Sequence, residues 1–123
     1  MKEIKSRADV VLLVNTFYEK VNASPVLGYI FSDVAKVDWE KHLPIMYSFW
    51  ANVLLEEQSY EGNPMKVHLD LSRKTTLSEK EFSEWLSLFT QTVDELFVGS
   101  KANEAKTRAG NIARLMMHKI QVA

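Results

Sequence analysis

The sequence contains no cysteine. That excludes a disulfide framework, thiolate metal sites, iron–sulfur clusters and any thioether-linked cofactor. Proline and glycine are scarce, with 3 and 4 copies in 123 residues, so few positions interrupt a helix and no glycine-rich phosphate loop is present. G-x-S-x-G, H-E-x-x-H and paired E-x-x-H patterns are also missing, which takes support from hydrolase, nucleotide-binding and di-iron bundle readings. A formal net charge of −1 points to neither nucleic acid nor an anionic membrane as a partner. No apolar run approaches the ~20 residues of a membrane span. The opening MKEIKSRADVVLLV has a short apolar run, but it carries Glu3 and Asp9 and no small-residue cleavage site follows. It reads as a mature cytoplasmic start.

Hydrophobic residues make up 46% and charged residues 25% of the chain, the composition of an ordinary soluble fold. The length suits one domain over residues 1–123, burying roughly 65% of its unfolded surface. Helical periodicity dominates, and no segment alternates as a strand would. A first helix is expected from an N-cap at Ser6, with Val10, Leu13, Phe17 and Val21 as its main apolar face and Val11, Val14 and Tyr18 widening it. Ser24 and Pro25 pair an N-cap with a first-turn proline, which predicts a short helical turn ending near Phe31. The next helix begins around Asp38, with His42, Met46, Phe49 and Val53 along one face and Trp50 beside it. Pro44 predicts a kink in this helix, or its true start. Asn63 and Pro64 open a short helix on which Met65, His68 and Leu71 share a face. Ser78 and Glu81 form a capping box for a helix with Phe82, Trp85, Phe89, Val93 and Leu96 inward, expected to stop at Gly99. A last helix from about Ser100 to Ile120 turns Ala105, Ala109, Ile112, Met116 and Ile120 inward, and its alanines allow close helix approach. Five or six helices with short connections make an all-α domain.

Three histidines are the residues most able to carry chemistry. His118 neighbours Lys119 near the C-terminus and is expected on the surface. His42 lies on a face with Met46 and Phe49, yet near a helix start, so a solvated and a functional reading both stand. His68 interrupts an apolar stripe, and a buried imidazole needs a partner for each ring nitrogen. Backbone acceptors would meet that need, and so would a metal. Adjacent Glu56 and Glu57 at a helix end read as solvated carboxylates. The aromatic residues Phe17, Tyr18, Phe31, Phe49, Trp50, Phe82, Trp85, Phe89 and Phe97 fall on inward or near-inward positions. Such a set is more often core than cofactor box. Tyr18 and Trp85, however, carry donors that need partners when buried, and few internal acceptors are evident. A flat apolar cofactor with a metal at its centre and a polar ligand on one side would resolve that deficit.

These residues together resemble the truncated haemoglobins, the two-over-two globins, and within them the third group. The likeness runs over roughly residues 10 to 117. Phe17–Tyr18 in NTFYEKV is similar to the distal tyrosine segment of that family, and LGYIF ends in Phe31, the phenylalanine that packs on haem. His42 in WEKH matches the distal histidine, and FWANVLL contains the aromatic pair Phe49–Trp50. YEGNPMKVHL resembles the proximal segment with His68 as iron ligand, and Trp85 matches the tryptophan facing the ligand pocket. None of the four glycines is paired, as in the third group and unlike the first two. Pro44 departs from the pattern.

The resemblance implies a two-over-two helical sandwich around a haem pocket. Non-covalent haem b would be held by its iron on neutral His68, whose Nδ1–H would find the Pro64 carbonyl one turn back. Met65, Leu71, Phe31, Phe49, Trp50 and Phe89 would contact the cofactor, and Arg73 and Lys74 would meet its propionates. Tyr18, His42, Trp85 and Phe17 would line the distal side. The family implies reversible binding of O2, CO and other small ligands by a monomer. It also implies redox turnover of nitric oxide or peroxide with an unidentified reductase. A haem-free globin-like module that binds a partner protein or an apolar ligand is the alternative; it would keep the helices without needing His68, Tyr18 and Trp85 together.

Overall fold

Val10, Leu13, Val14, Phe17 and Val21 recur at helical spacing, and each is at most 1% exposed on the helix they form, α1 (Arg7–Ala23). The structure is a computed structural model and describes residues 2–34, 36, 38–56 and 78–122, without the side chains of 34 and 119–122. Ser6 is the N-cap of α1, as its position before the apolar run implies. Asp9, at the third helical position, accepts from the backbone N–H groups of Ser6 at 3.1 Å and Lys5 at 2.8 Å. Its other oxygen pairs with Lys2 Nζ at 2.7 Å. The Lys2 ammonium, more than the Lys5 N–H, holds this buried carboxyl down at about 2, against the opposing effect of burial.

Ser24 ends α1 and starts the following turn. Its Oγ accepts from the N–H groups of Val26 and Leu27 and donates to Glu84 at 2.8 Å. Gly28 is required by close approach: a Cβ there would lie 2.8 Å from the Asn22 carbonyl oxygen. The turn does not stop near Phe31 but widens into a π-helix, Ile30–Val34, that buries Ile30 in the core.

Asp38 caps α2 (Trp39–Leu55), its carboxylate accepting from Glu40 N–H at 3.1 Å. This helix starts at Trp39 and runs through Pro44. The proline removes the bond to the Glu40 carbonyl, and both residues are exposed, so that carbonyl is accessible to water.

Ser78 and Glu81 open α3 (Glu79–Leu96) with the expected box, the Ser78 N–H meeting the Glu81 carboxylate at 2.7 Å. Phe89 and Val93 are fully buried, and Thr92 joins them because its hydroxyl bonds back to the Leu88 carbonyl at 2.7 Å. This helix ends at Leu96, before Gly99. Phe97 turns extended and forms a single parallel bridge with Lys2, and Val98 N–H donates to the Lys2 carbonyl at 2.9 Å. Gly99, at φ +100°, then makes the turn into α4 (Ser100–Val122). Ala102, Ala105, Ala109 and Ala113 are buried along α4, which packs closely on α3.

α1 packs against α2 and α3, α3 against α4, and α2 touches α4. Two helix pairs therefore lie one over the other, the all-α two-over-two sandwich expected from the sequence. Among the described residues, no helix is long and apolar enough to cross a membrane.

Candidate functional site

Consecutive residues on a helix point about 100° apart. On α1 this sends Phe17 toward α3 and Tyr18 toward α2. Phe17 meets Trp85 edge-on at 5.7 Å and Phe89 at 5.2 Å. Phe89 in turn lies stacked between Trp85, at 5.8 Å, and Trp50, at 4.6 Å. Phe49 stands edge-on to Trp50.

Tyr18 enters a second cluster. Its ring centroid lies 5.9 Å from Phe31, 5.2 Å from Trp39 and 5.3 Å from His42. Its hydroxyl lies 3.2 Å from His42 Nε2. His42, for which a solvated and a functional reading both stood, thus points inward onto Tyr18. Burial pushes the phenol well above its ordinary range, so Tyr18 stays a neutral donor. The tautomer of His42 decides what that donor is free to do. With a proton on Nε2, His42 donates to the phenol oxygen and leaves the Tyr18 proton for another acceptor. With Nε2 bare, His42 consumes that proton.

Among the described residues, no fully buried side-chain nitrogen or oxygen lacks a partner. His42 therefore partners the Tyr18 hydroxyl, and the shortage of partners expected for this core is not seen among the described residues. Trp85 is only half-buried, and its indole N–H has no hydrogen-bond partner among the described residues. His118 is exposed, as expected.

α2 carries two kinds of apolar position. Trp50, Ala51 and Leu54 are buried in the core, whereas His42, Met46, Phe49 and Val53 form a half-buried stripe. On its other flank α2 borders a groove shared with α1, where Trp39, Leu43 and Tyr47 face Asn15, Glu19 and Asn22, and which Tyr18 also reaches. Tyr47 closes part of it by donating to the Asn15 side-chain oxygen at 2.5 Å. His68, Met65, Leu71, Arg73 and Lys74 lie outside the described residues.

Sequence reasoning did not single out Trp39, which touches Phe31, Tyr18 and His42. Its place in the first turn of α2, one turn before His42, was the available signal. It also passed over Asp9, although S-x-x-D at Ser6 is a capping-box pattern, and over the Ser24–Glu84 and Tyr47–Asn15 bonds, for which no local signal exists.

A helical sandwich with a buried phenol–imidazole pair beside a half-buried apolar stripe is the architecture of a small globin. The chain belongs to the bacterial-like globin family, whose model matches residues 2–121. The relatives give the branch. The group 3 truncated hemoglobin ctb of Campylobacter jejuni is 32% identical over 114 residues, covering 90% of this chain and 87% of that protein. The crystal structure of the group III truncated hemoglobin from the same organism superposes with a TM-score of 0.85 at 31% identity, over 98% of this chain and 95% of that one. The likeness to the third group drawn from the sequence is thereby shown.

Globins bind haem and, through it, small ligands. The described residues fit such a group. Phe31, Met46, Phe49, Val53 and Trp85 pack on the core yet stay partly uncovered, a lining suited to a flat apolar ring.

Proposed function

We propose that this chain holds one non-covalent haem b, with His68 as the ligand to its iron, and reversibly binds O2 and other diatomic molecules beside Tyr18. The observation that carries the reading is the buried Tyr18 phenol paired with His42 at 3.2 Å inside an aromatic wall, next to the half-buried stripe of α2. Bound there, haem supplies an iron with a coordination position for a small ligand.

The remaining chemistry belongs to the chain. Phe31 and Phe49, with Met65 and Leu71, would exclude water from the ring, Trp50 and Phe89 would back that wall from the core, and Arg73 and Lys74 would meet the propionates. Tyr18 and Trp85 would supply O–H and N–H donors to the ligand, and Phe17 touches both rings. His42 orients the Tyr18 proton. Such donors stabilise a ligand that draws negative charge onto its outer atom far more than they stabilise CO. Slow O2 release follows, which suits redox turnover of nitric oxide or peroxide, served by a reductase, better than transport.

Absorption spectra of the ferric and ferrous protein test the assignment. His68→Ala should lose the histidine-ligated ferrous spectrum and regain a five-coordinate one when free imidazole is added. An unchanged spectrum in the variant removes His68 from the iron. A chain that takes up no haem at all leaves the haem-free module as its reading.

A further inference from the structure

We infer that Trp39 is a positioning residue for the site proposed above: it shields the Tyr18 hydroxyl from the α1–α2 groove and holds Tyr18 and His42 in register. Trp39 stacks on Phe31 with ring centroids 5.9 Å apart and planes 18° apart. From that platform it leans on Tyr18 at 5.2 Å and meets His42 edge-on at 5.5 Å. One ring thus touches both members of the polar pair and the phenylalanine from the π-helix. Trp39 also lines the groove that Tyr18 reaches, yet Tyr18 is only 8% exposed. Both rings line that groove, and the indole, in contact with the Tyr18 ring, is part of what keeps it covered there.

Its backbone adds a second constraint. Trp39 is the first residue of α2, and the His42 N–H closes the first helical turn by donating to the Asp38 carbonyl at 2.9 Å. Trp39 and His42 therefore share the first turn of α2, with their rings in edge-on contact. Aromatic pairs prefer tilted and edge-on contacts of the kind seen here, so each of the three contacts resists rotation of the indole.

Hydroxyl exchange at Tyr18 tests this. Tyrosine labelled with carbon-13 at Cζ, observed in equal parts of H2O and D2O, gives two lines where the hydroxyl proton exchanges slowly and one where it exchanges fast. The full chain is used as purified, reduced and saturated with CO where it carries haem, and Tyr18→Phe assigns the line. The native chain should show a doubled Tyr18 line. Trp39→Ala should collapse it, and so should Trp39→Leu, which keeps apolar bulk and serves if the alanine variant does not fold. Trp39→Phe, which retains the stack on Phe31, should restore it. Tyr47→Phe, which breaks the bond to Asn15 on the same groove, should leave it doubled. A single line in the native chain, a doubled line in both Trp39→Ala and Trp39→Leu, or a single line in Trp39→Phe overturns the inference. Collapse in Tyr47→Phe does so too, because any loosening of the groove would then suffice. The readout needs no haem: a chain without haem but with a Trp39-dependent doublet sinks only the haem reading, and a haem protein whose doublet ignores Trp39 sinks only this one.

Discussion

Phe17 and Tyr18 are neighbours in sequence with rings 4.9 Å apart, yet they serve two different clusters. Phe17 leads into a ring stack with Trp85, Phe89 and Trp50 whose only polar atoms are indole nitrogens. Tyr18 leads into a cluster that encloses a phenol–imidazole hydrogen bond. The first is a core, whose stabilisation comes from area removed from water and close packing. The second holds a directional donor at a site only partly closed. One helix thus turns one ring into the core and the next onto a polar partner, and mutations should separate the two.

The largest effect is expected in the apolar cluster. Phe89 is fully buried and contacts three rings, so Phe89→Ala should cost about 3–5 kcal/mol of unfolding free energy, read by urea denaturation. A loss below about 1 kcal/mol would mean that the neighbours collapse into the space and that the stack is not the centre of the core.

In the polar cluster the effect should appear in ligand kinetics. A hydrogen bond to a charged acceptor contributes about 1.5–3 kcal/mol, so Tyr18→Phe should speed O2 release by roughly 10- to 150-fold. CO release and unfolding free energy should change much less. Trp85→Phe should act in the same direction more weakly, and the double variant should fall short of the product of the two if both donors share one acceptor oxygen. Stopped-flow measurement of both gases on all four proteins reads this. Equal acceleration of O2 and CO would make the two residues steric gates.

His42 should matter less than Tyr18, because it acts through the phenol. Losing one neutral hydrogen bond is worth about 0.5–1.5 kcal/mol, so His42→Leu should speed O2 release by roughly tenfold or less. An acceleration matching that of Tyr18→Phe would show that His42 donates to the ligand directly.

The smallest effect should come from Asp9, on the same helix but remote from both clusters. Asp9→Asn loses the Lys2 ion pair and weakens the cap, at a cost of about 1 kcal/mol. Because its folded pKa is depressed to about 2, the stability Asp9 contributes is fully present above the ordinary carboxylate range near 4. It is lost as pH falls through 2. The native chain should therefore lose stability over that acid window more steeply than Asp9→Asn, and parallel curves would count against the buried ion pair. O2 kinetics should be unchanged in this variant.

Much of this arrangement was legible in the residues alone. The caps at Ser6, Asp38 and Ser78 and the inward face of α1 depend on residues within one or two turns of each other, so local spacing suffices to place them. The absence of cysteine settled which chemistry to exclude. What sequence could not decide were contacts made across elements. α3 stops at Leu96 because Lys2, at the other end of the chain, captures the backbone beyond it. The π-helix appears where a simple turn was expected, and α2 runs through Pro44 because the lost bond faces water. The satisfaction of Tyr18 by His42, the placing of Trp39 over that pair and the bond from Tyr47 to Asn15 all depend on how α1 and α2 cross. Spacing along one helix specifies which way a side chain leaves its own axis, whereas a hydrogen bond between two helices requires both axes to be positioned to within a fraction of an ångström, and that position is set by the packing of the whole core.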